Sequence, residues 1–182
     1  MARETIAVST PSVPIAYELF LMRHGAAVPR GRGRFAEDFN RPLTRKGAQE
    51  LPQIGGGLKN AGVRLDWIVS GPLVRAWQTG EILRSVLGAN VPLSSCDHLR
   101  PGGTLEGLLA FLVKHSGKRR ILIVGHEPPL SRWAAQLLGA SSAANLRFKK
   151  GGCCLITLKE LPPKIPGRLI WWVTPRLLRK LA

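Results

Sequence analysis

The chain has 182 residues, of which 45% are hydrophobic and 21% charged, and its 27 Lys and Arg against 11 Asp and Glu give a net charge of +16 at pH 7. This composition excludes a disordered chain, and 20 glycines and 14 prolines without a period exclude a collagen-like repeat. The excess positive charge predicts an anionic partner, which is a phosphorylated ligand, an acidic protein, nucleic acid or anionic lipid.

Residues 1–16 are expected to form a flexible N-terminal segment, and residues 17–182 a single domain. Short apolar runs between turn residues predict six strands, at residues 17–22, 67–70, 91–95, 120–124, 153–158 and 169–173. The first and fourth runs are mostly apolar, which is typical of central strands buried on both faces. The last two strands are expected to pair as an antiparallel ribbon at the edge of the sheet.

Helical patterns fill most gaps between these strands, at residues 72–87, 104–115 and 128–138. Before them, Thr44 is predicted to cap a helix that Pro52 and the glycines at 55–57 weaken. A short amphipathic helix at the C-terminus carries Arg176, Arg179 and Lys180. It is expected to dock on the body, and a membrane-surface or partner role is the alternative. The alternation of strand and helix predicts an α/β fold with three α/β/α layers and a mostly parallel central sheet.

Polar residues follow three of the predicted strands. Arg23 and His24 come directly after the first strand. Ser70 ends the second strand, and His126 follows the fourth. Because ligands bind outside the carboxyl ends of the strands in such sheets, these side chains are expected to converge on one site. Arg75, near the start of the helix that follows the second strand, is expected to join them.

Two imidazoles and two guanidinium groups suit phosphoryl transfer. A guanidinium holds two phosphoryl oxygens at once, and a neutral imidazole nitrogen attacks phosphorus to form a covalent intermediate. The attacking ring of His24 needs a fixed tautomer, which a backbone carbonyl can set if Gly25 lets the chain fold close to the ring. A second imidazole stabilises the charge that develops in the transfer. No Asp, Glu or His cluster has metal-ligand spacing, so the chemistry is predicted to need no metal.

Four sequence blocks occur in order along the chain, and they read L-M-R-H-G at 21–25, R-P-L-T at 41–44 with Gly47, S-G-P-L-V-R-A-W-Q-T at 70–79 and G-H-E-P at 125–128. Together they resemble the signatures of the histidine phosphatase superfamily, whose fold is phosphoglycerate mutase-like. R-H-G alone would be a weak signal. Four blocks in the order of the family make a specific one.

The resemblance implies a role for each matching residue. His24 would be the nucleophile that carries a phosphohistidine intermediate, which water then hydrolyses. Arg23, Arg75 and His126 would complete the phosphate pocket. Substrate contacts are expected from three further residues, Arg41, Gly25 and Ser70. The resemblance also implies that neither a metal nor an organic cofactor takes part.

One segment departs from the broader family pattern. Many members place a carboxylic acid after the third strand, in a segment L-x-E, where it protonates an alcohol leaving group. Here the segment reads Leu99-Arg100-Pro101, with proline in the place of the acid. This departure, the short chain and the G-H-E-P block resemble the SixA-type phosphohistidine phosphatases. A phosphoramidate nitrogen leaves more easily than an alkoxide, so no enzymic acid is expected; the acids to test against this are Asp97, Glu106 and Glu127.

The sequence therefore predicts a metal-independent phosphatase that most readily hydrolyses phosphohistidine on a protein. A small phosphate ester, such as a sugar phosphate or a nucleotide, is the alternative substrate. The alternative from another class is a basic module that binds nucleic acid or protein on an inactive phosphatase fold, which no nucleic-acid-binding motif supports. A basic loop either steers an acidic substrate or is simply solvated, and it carries Arg30, Arg32 and Arg34.

The cysteines and the N-terminus indicate a cytoplasmic protein. Cys153 and Cys154 are adjacent and Cys96 stands alone, so all three are expected to be buried free thiols. Residues 1–16 contain Thr, Ser and Pro rather than the apolar stretch of a signal peptide. The sequence contains no run of about 18 apolar residues, so no membrane-spanning helix is predicted.

Overall fold

Six strands form one mixed sheet in the computed structural model, which describes residues 17–31, 37–115 and 117–182. In chain order the strands are β1 Tyr17–Arg23, β2 Trp67–Ser70, β3 Leu93–Ser95, β4 Arg120–Gly125, β5 Cys153–Leu158 and β6 Arg168–Val173. Their order across the sheet is β3-β2-β4-β1-β5-β6. The first four strands are parallel to one another, whereas β5 is antiparallel to both β1 and β6. The predicted fold class and the predicted edge ribbon are both confirmed.

Helices cover both faces of the sheet. Within the described residues they are α1 Arg45–Asn60, α2 Val74–Leu87, α3 Leu105–Val113, α4 Pro129–Leu137 and α5 Pro175–Lys180, with one turn of 3-10 helix at Asp97–Leu99. Alternate residues of β1 point to opposite faces: Leu19 and Leu21 join the core under α3 and α4, and Phe20 and Met22 join the core under α1, α2 and α5. Burial on both faces explains the nearly continuous apolar sequence of the central strands.

Helix α1 runs without a break through Pro52 and the glycines at 55–57, although the sequence predicts that they weaken it. One of these glycines, Gly57, is needed for packing. A side chain at Gly57 would overlap the backbone carbonyl of Leu178 in α5. The close approach of two helices therefore offsets the low helix propensity of glycine. Helix α5 docks on α1 as expected, and Leu178 is 1% exposed.

Several expectations concern other parts of the chain. Residues 1–16, Arg32 and Arg34 lie outside the described residues. Of the helices in the described ranges, none combines the length and the apolar composition that crossing a bilayer requires. Three cysteines are free and buried, as predicted, and they are Cys96, Cys153 and Cys154. Burial raises the pKa of the Cys154 thiol to about 12.

Candidate active site

The carboxyl ends of β1, β2 and β4 lie side by side and bring four of the predicted site residues together. Arg23 ends β1, and His24 follows it. His126 follows β4, and Arg75 lies in the first turn of α2. The two imidazole rings have their centroids 4.9 Å apart and are tilted by 56°. Arg75 Nε lies 3.2 Å from His24 Nε2, so residues far apart in the sequence meet at one end of the sheet.

His24 is held in one tautomer. Its Nδ1 lies 2.7 Å from the carbonyl oxygen of Gly25, which can only accept, and its Nε2 faces Nε of Arg75, which can only donate. The neutral ring with its proton on Nδ1 satisfies both partners and leaves the lone pair on Nε2. The turn is tied to α2, because Gly25 N donates to the Thr79 hydroxyl at 3.1 Å and that hydroxyl donates to the Arg75 carbonyl at 2.7 Å.

Both imidazoles are buried and neutral. His24 is 6% exposed and His126 is 5% exposed. Burial, reinforced by the adjacent His126, lowers the pKa of His24 to about 2. Burial and the charge of Arg75 lower the pKa of His126 to about 4, although the charge of Asp38 opposes this shift. At neutral pH the Nε2 atom of His24 is therefore unprotonated.

The carboxylate of Asp38 lies among three guanidinium groups. Arg75 donates from Nη1 to the main-chain carbonyl of Asp38 at 2.7 Å and from Nη2 to its Oδ2 at 3.0 Å. Nη2 of Arg41 and Nη2 of Arg30 lie 2.7 and 3.1 Å from the other oxygen, Oδ1. Partial burial raises the pKa of Asp38, but the hydrogen bonds and charges of the arginines outweigh it and lower the pKa overall. Because Arg75 is 3% exposed, this carboxylate balances a buried cation.

Arg23 is tied to the loop before β5. Its Nη1 donates to the carbonyl of Phe148 at 2.9 Å. Glu127, beside His126, accepts from the N–H of the same Phe148 at 2.7 Å and from the Ser131 hydroxyl of α4 at 2.6 Å. Burial lowers the pKa of Arg23, and the charge of Glu127 acts against this shift. Two residues of the sequence blocks therefore hold Phe148 from both sides.

Four buried nitrogen atoms have no hydrogen-bond partner among the described residues, and they are Nδ1 and Nε2 of His126, Nε of Arg23 and Nε of Arg41. Buried polar atoms are normally paired, because an unpaired one is costly. With the guanidinium of Arg75, the Nε–H groups of Arg23 and Arg41 and the one N–H of the neutral His126 ring are donors of the kind that bind a tetrahedral oxyanion. Within the same described ranges, no three His, Cys, Asp or Glu side chains are arranged to hold a metal ion.

Other residues of the sequence blocks build the walls of the site. Thr44 caps α1 by accepting from Gly47 N at 2.9 Å, and its hydroxyl donates to the carbonyl of Ala26 at 3.2 Å. Gly47 lies so close to that carbonyl that any side chain would overlap it. Gln78 accepts from Leu43 N at 2.9 Å. These contacts hold the segment before α1 against both the end of β1 and α2.

Two residues expected to contact substrate are engaged elsewhere. Ser70 is fully buried, and its hydroxyl donates to the neighbouring Gly71 carbonyl at 3.1 Å. Gly25 uses its N–H and its carbonyl for internal hydrogen bonds that position His24. Arg41, by contrast, reaches the site through Asp38. Of these three, only Arg41 is linked by its side chain to the group around Arg75.

The acids weighed from the sequence lie in three different settings. Asp97 is paired with Arg100 at 2.7 Å on the surface. Glu106 is exposed in the first turn of α3. Glu127 is engaged by Phe148 and Ser131, as described. None of the three carboxylates makes a hydrogen bond to either imidazole within the described part of the chain.

The family model of the histidine phosphatase superfamily, branch 1, matches residues 19–111. This chain belongs to the histidine phosphatase superfamily. It is 35% identical over 138 residues to an uncharacterized protein of Picosynechococcus sp., which covers 74% of this chain and 81% of that protein. It is 31% identical over 162 residues to the phosphohistidine phosphatase SixA of Escherichia coli (strain K12), and the match covers 87% of this chain and 94% of SixA.

A solved structure of the protein histidine phosphatase SixA complexed with tungstate matches this histidine phosphatase with a TM-score of 0.76. The two chains are 26% identical, and the match covers 88% of this chain and 99% of that one. The phosphoglycerate mutase-like fold is thereby confirmed. As a member of this superfamily the chain is a phosphatase. Residues from all four sequence blocks lie at the same end of the sheet.

Two residues at this candidate site are absent from the residues that the sequence predicts, and they are Asp38 and Phe148. Asp38 stands three residues before Arg41, and that spacing from the R-P-L-T block is the one local signal that could have marked it. Phe148 belongs to no block. No local pattern places its carbonyl on Arg23, because the contact joins positions 125 residues apart.

Proposed function

We propose that this chain is a metal-independent phosphatase that hydrolyses phosphohistidine on a protein through a covalent intermediate at His24. The observation that carries the proposal is the buried, neutral His24 with its lone pair on Nε2, beside Arg75 and a second imidazole. Similarity to a phosphohistidine phosphatase over 87% of the chain supports the substrate class.

In the first step Nε2 of His24 attacks phosphorus, so a P–N bond forms while the bond to the leaving nitrogen breaks. The phosphoryl oxygens take over the Arg75 N–H that points at Nε2 in the free protein, and the unpaired Nε of Arg23 is a second donor. The negative charge of the substrate raises the pKa of His126 from about 4, which favours a second proton on its ring. An N–H of the protonated ring donates a hydrogen bond to a phosphoryl oxygen.

In the second step water attacks the phosphohistidine, the bond between phosphorus and Nε2 breaks, and inorganic phosphate leaves. A proton of the water goes to the phosphate or to the solvent. The hydrogen bond from Nδ1 to the Gly25 carbonyl keeps the ring of His24 in place through both steps. The tautomer that starts the cycle is therefore the tautomer that ends it.

The leaving group favours a phosphoramidate over an ester. The segment Leu99-Arg100-Pro101 offers no acid where many relatives carry one. Asp38 is held as a carboxylate by Arg75, Arg41 and Arg30, with its pKa lowered, so it has no proton to give to an alkoxide at neutral pH. A phosphohistidine nitrogen needs less help, because an imidazole is a much weaker base than an alkoxide and therefore a better leaving group. The departing nitrogen takes the proton it needs from water.

A loop beside the site suits an acidic protein surface. The loop carries three exposed cations, Arg147, Lys149 and Lys150, and we call it the cationic loop. Gly151 N donates to the carbonyls of Arg23 and His24 at 3.0 and 3.1 Å, so the loop lies against the end of β1. No salt bridge within the described residues involves these cations. They are thus available to carboxylates around a phosphorylated histidine.

The three free thiols further support the cytoplasm as the location of the protein.

The test compares hydrolysis of a phosphohistidine protein and of an alkyl phosphate, with a chelator present. The wild-type chain is expected to prefer the phosphohistidine protein, and His24→Ala to lower kcat/KM by about a thousandfold or more. Rapid denaturation at alkaline pH, where phosphohistidine survives, should leave a phosphoryl group on the His24 peptide. Mass spectrometry of that peptide identifies the intermediate directly.

A matched control is His115→Ala, because His115 follows α3 and packs near Trp67, 4.6 Å between ring centroids, away from the site. It should keep full activity. Equal rates for wild type and His24→Ala would remove His24 as the nucleophile. A preference for the alkyl phosphate would instead favour a small phosphate ester as substrate.

A further inference from the structure

Asp38 is unexpected in a phosphate pocket, because a carboxylate repels the substrate's charge. We propose that Asp38 is a positioning residue, which orients the guanidinium of Arg75 so that its Nε side faces His24. The proposal rests on the phosphatase function proposed above. Among the described residues, Asp38 makes no hydrogen bond to either imidazole, so we expect it to act on the reaction mainly through Arg75.

The grip on Arg75 is bidentate. The main-chain carbonyl of Asp38 accepts from Nη1 and its carboxylate accepts from Nη2, at 2.7 and 3.0 Å. Two bonds to a planar group fix both its position and its rotation. Nε then points at Nε2 of His24, 3.2 Å away. Each terminal nitrogen keeps a second N–H, so the guanidinium can bind phosphoryl oxygens without releasing Asp38.

The loop that carries Asp38 is itself anchored to α2. The carbonyl of Phe39 accepts from Val74 N at 3.2 Å, one residue before Arg75. On the other side, Arg41 binds Asp38 with one nitrogen and donates to the carbonyl of Val28 with another, at 2.9 Å. The acceptor is thus built into the fold on both sides, as positioning requires.

The negative charge of Asp38 also stabilises the buried guanidinium of Arg75 in this orientation. Arg75 is 3% exposed and would be a buried, unpaired cation in the free enzyme without this carboxylate. Arg41 and Arg30 bind its other oxygen and offset its repulsion of a phosphoryl group. We therefore expect removal of Asp38 to cost more through the lost orientation of Arg75 than it gains through reduced repulsion.

A double-mutant cycle tests whether Asp38 acts through Arg75. In the wild-type background, Asp38→Ala is expected to lower kcat/KM for the phosphohistidine protein by about tenfold or more. In the Arg75→Ala background the same change should alter kcat/KM by less than about twofold, because the group it orients is gone. Equal losses in both backgrounds would overturn the proposal.

Tungstate, a tetrahedral oxyanion, provides a second measurement that needs no turnover. Calorimetric titration is expected to give a Kd about tenfold higher for Asp38→Ala than for wild type. Tighter tungstate binding would instead make Asp38 a competing anion and overturn the proposal. If the wild-type chain hydrolyses no phosphohistidine, the proposed function fails, whereas the tungstate titration still decides the role of Asp38.

The matched control is Asp66→Ala. Asp66 also pairs with an arginine, Arg120, and its side chain is 23% exposed against 24% for Asp38, but it lies at the opposite end of the sheet. The Asp66→Ala variant should have kcat/KM and a Kd for tungstate within about twofold of the wild-type values. Should Asp38→Ala not fold by circular dichroism, Asp38→Asn replaces it. An amide keeps the shape but has one acceptor oxygen, whereas Arg75 and Arg41 bind the two different oxygens of Asp38.

Discussion

Two aspartate–arginine pairs lie at opposite ends of the sheet and differ in what surrounds the cation. At the site end, Asp38 and Arg75 are 3.0 Å apart, and the Arg75 side chain is 4% exposed. At the far end, Asp66 and Arg120 are only 2.6 Å apart, but the Arg120 side chain is 45% exposed. Water replaces a lost partner far more readily at the exposed Arg120 than at the buried Arg75. Burial, rather than distance, therefore decides what breaking each pair costs.

The two pairs also hold different parts of the fold. Asp66 accepts from the main-chain N–H groups of Arg119 and Arg120 at 3.2 and 3.0 Å, so it fastens the start of β4 next to β2. Asp38 fastens a loop to the helix that carries Arg75. One pair ties two neighbouring strands together, whereas the other holds a side chain that faces the imidazole of His24.

The largest difference between the two ends is expected from removing each arginine. Arg75→Met should lower kcat/KM by about a thousandfold, because the buried donor facing His24 is lost. Arg120→Met should leave kcat/KM unchanged and lower the free energy of unfolding by at most about 1 kcal/mol. Steady-state kinetics and urea unfolding of both variants check this. Similar kinetic losses in the two variants would erase the distinction between the ends.

Acid is expected to destabilise the site end first. The pKa values of His24 and His126 in the folded protein are about 2 and about 4, below the 6.5 of an unfolded chain. Between pH 4 and 6.5 the unfolded state binds more protons, so stability is full above pH 6.5 and falls as pH drops below it. The lowered pKa of each histidine should reduce the free energy of unfolding by about 2 kcal/mol between pH 7 and pH 5.

Urea unfolding of wild type and His24→Asn across this range measures the effect, and the variant should lose about half of the pH dependence. Asp66→Asn serves as the far-end control. The pKa of Asp66 is lowered by its hydrogen bonds from Arg120, so the pair stays charged through this window and the variant should keep the full slope. A slope that His24→Asn leaves unchanged would show that this ring is not buried neutral.

A smaller effect is expected from the cationic loop. Reversing Arg147, Lys149 and Lys150 to Glu should lower kcat/KM for a phosphohistidine protein about tenfold at low salt, through a slower association. Hydrolysis of a small aryl phosphate should change much less. The far-end control carries the same charge change, as Lys114→Glu, Lys118→Glu and Lys159→Glu. If both triple variants lose the same activity, net charge rather than the loop attracts the substrate.

Much of the fold was predictable, because it follows from patterns a few residues long. The strands at 67–70 and 153–158 agree with the prediction at both ends, and the other four differ by at most two residues. Helix α1 was harder, because the reason for Gly57 is the backbone of α5, which lies more than a hundred residues away in the sequence.

The candidate site was predictable in part for the same reason. Arg23, His24 and His126 stand at strand ends, and parallel strands bring such ends together. Asp38 could not be identified in this way. An aspartate in a loop rich in Arg, Gly and Pro resembles any solvated acid, and only the folded chain places it between Arg75 and Arg41.

The amino-acid sequence by itself determined the layers of the fold, the order of the blocks and the residue types that gather at one end of the sheet, since periodicity and strand polarity are local properties. The tertiary structure alone decided which carboxylate meets Arg75, which nitrogen of His24 keeps its lone pair and why both imidazoles are neutral. These properties depend on burial and on contacts between distant segments, and neither is written in any short stretch of the chain.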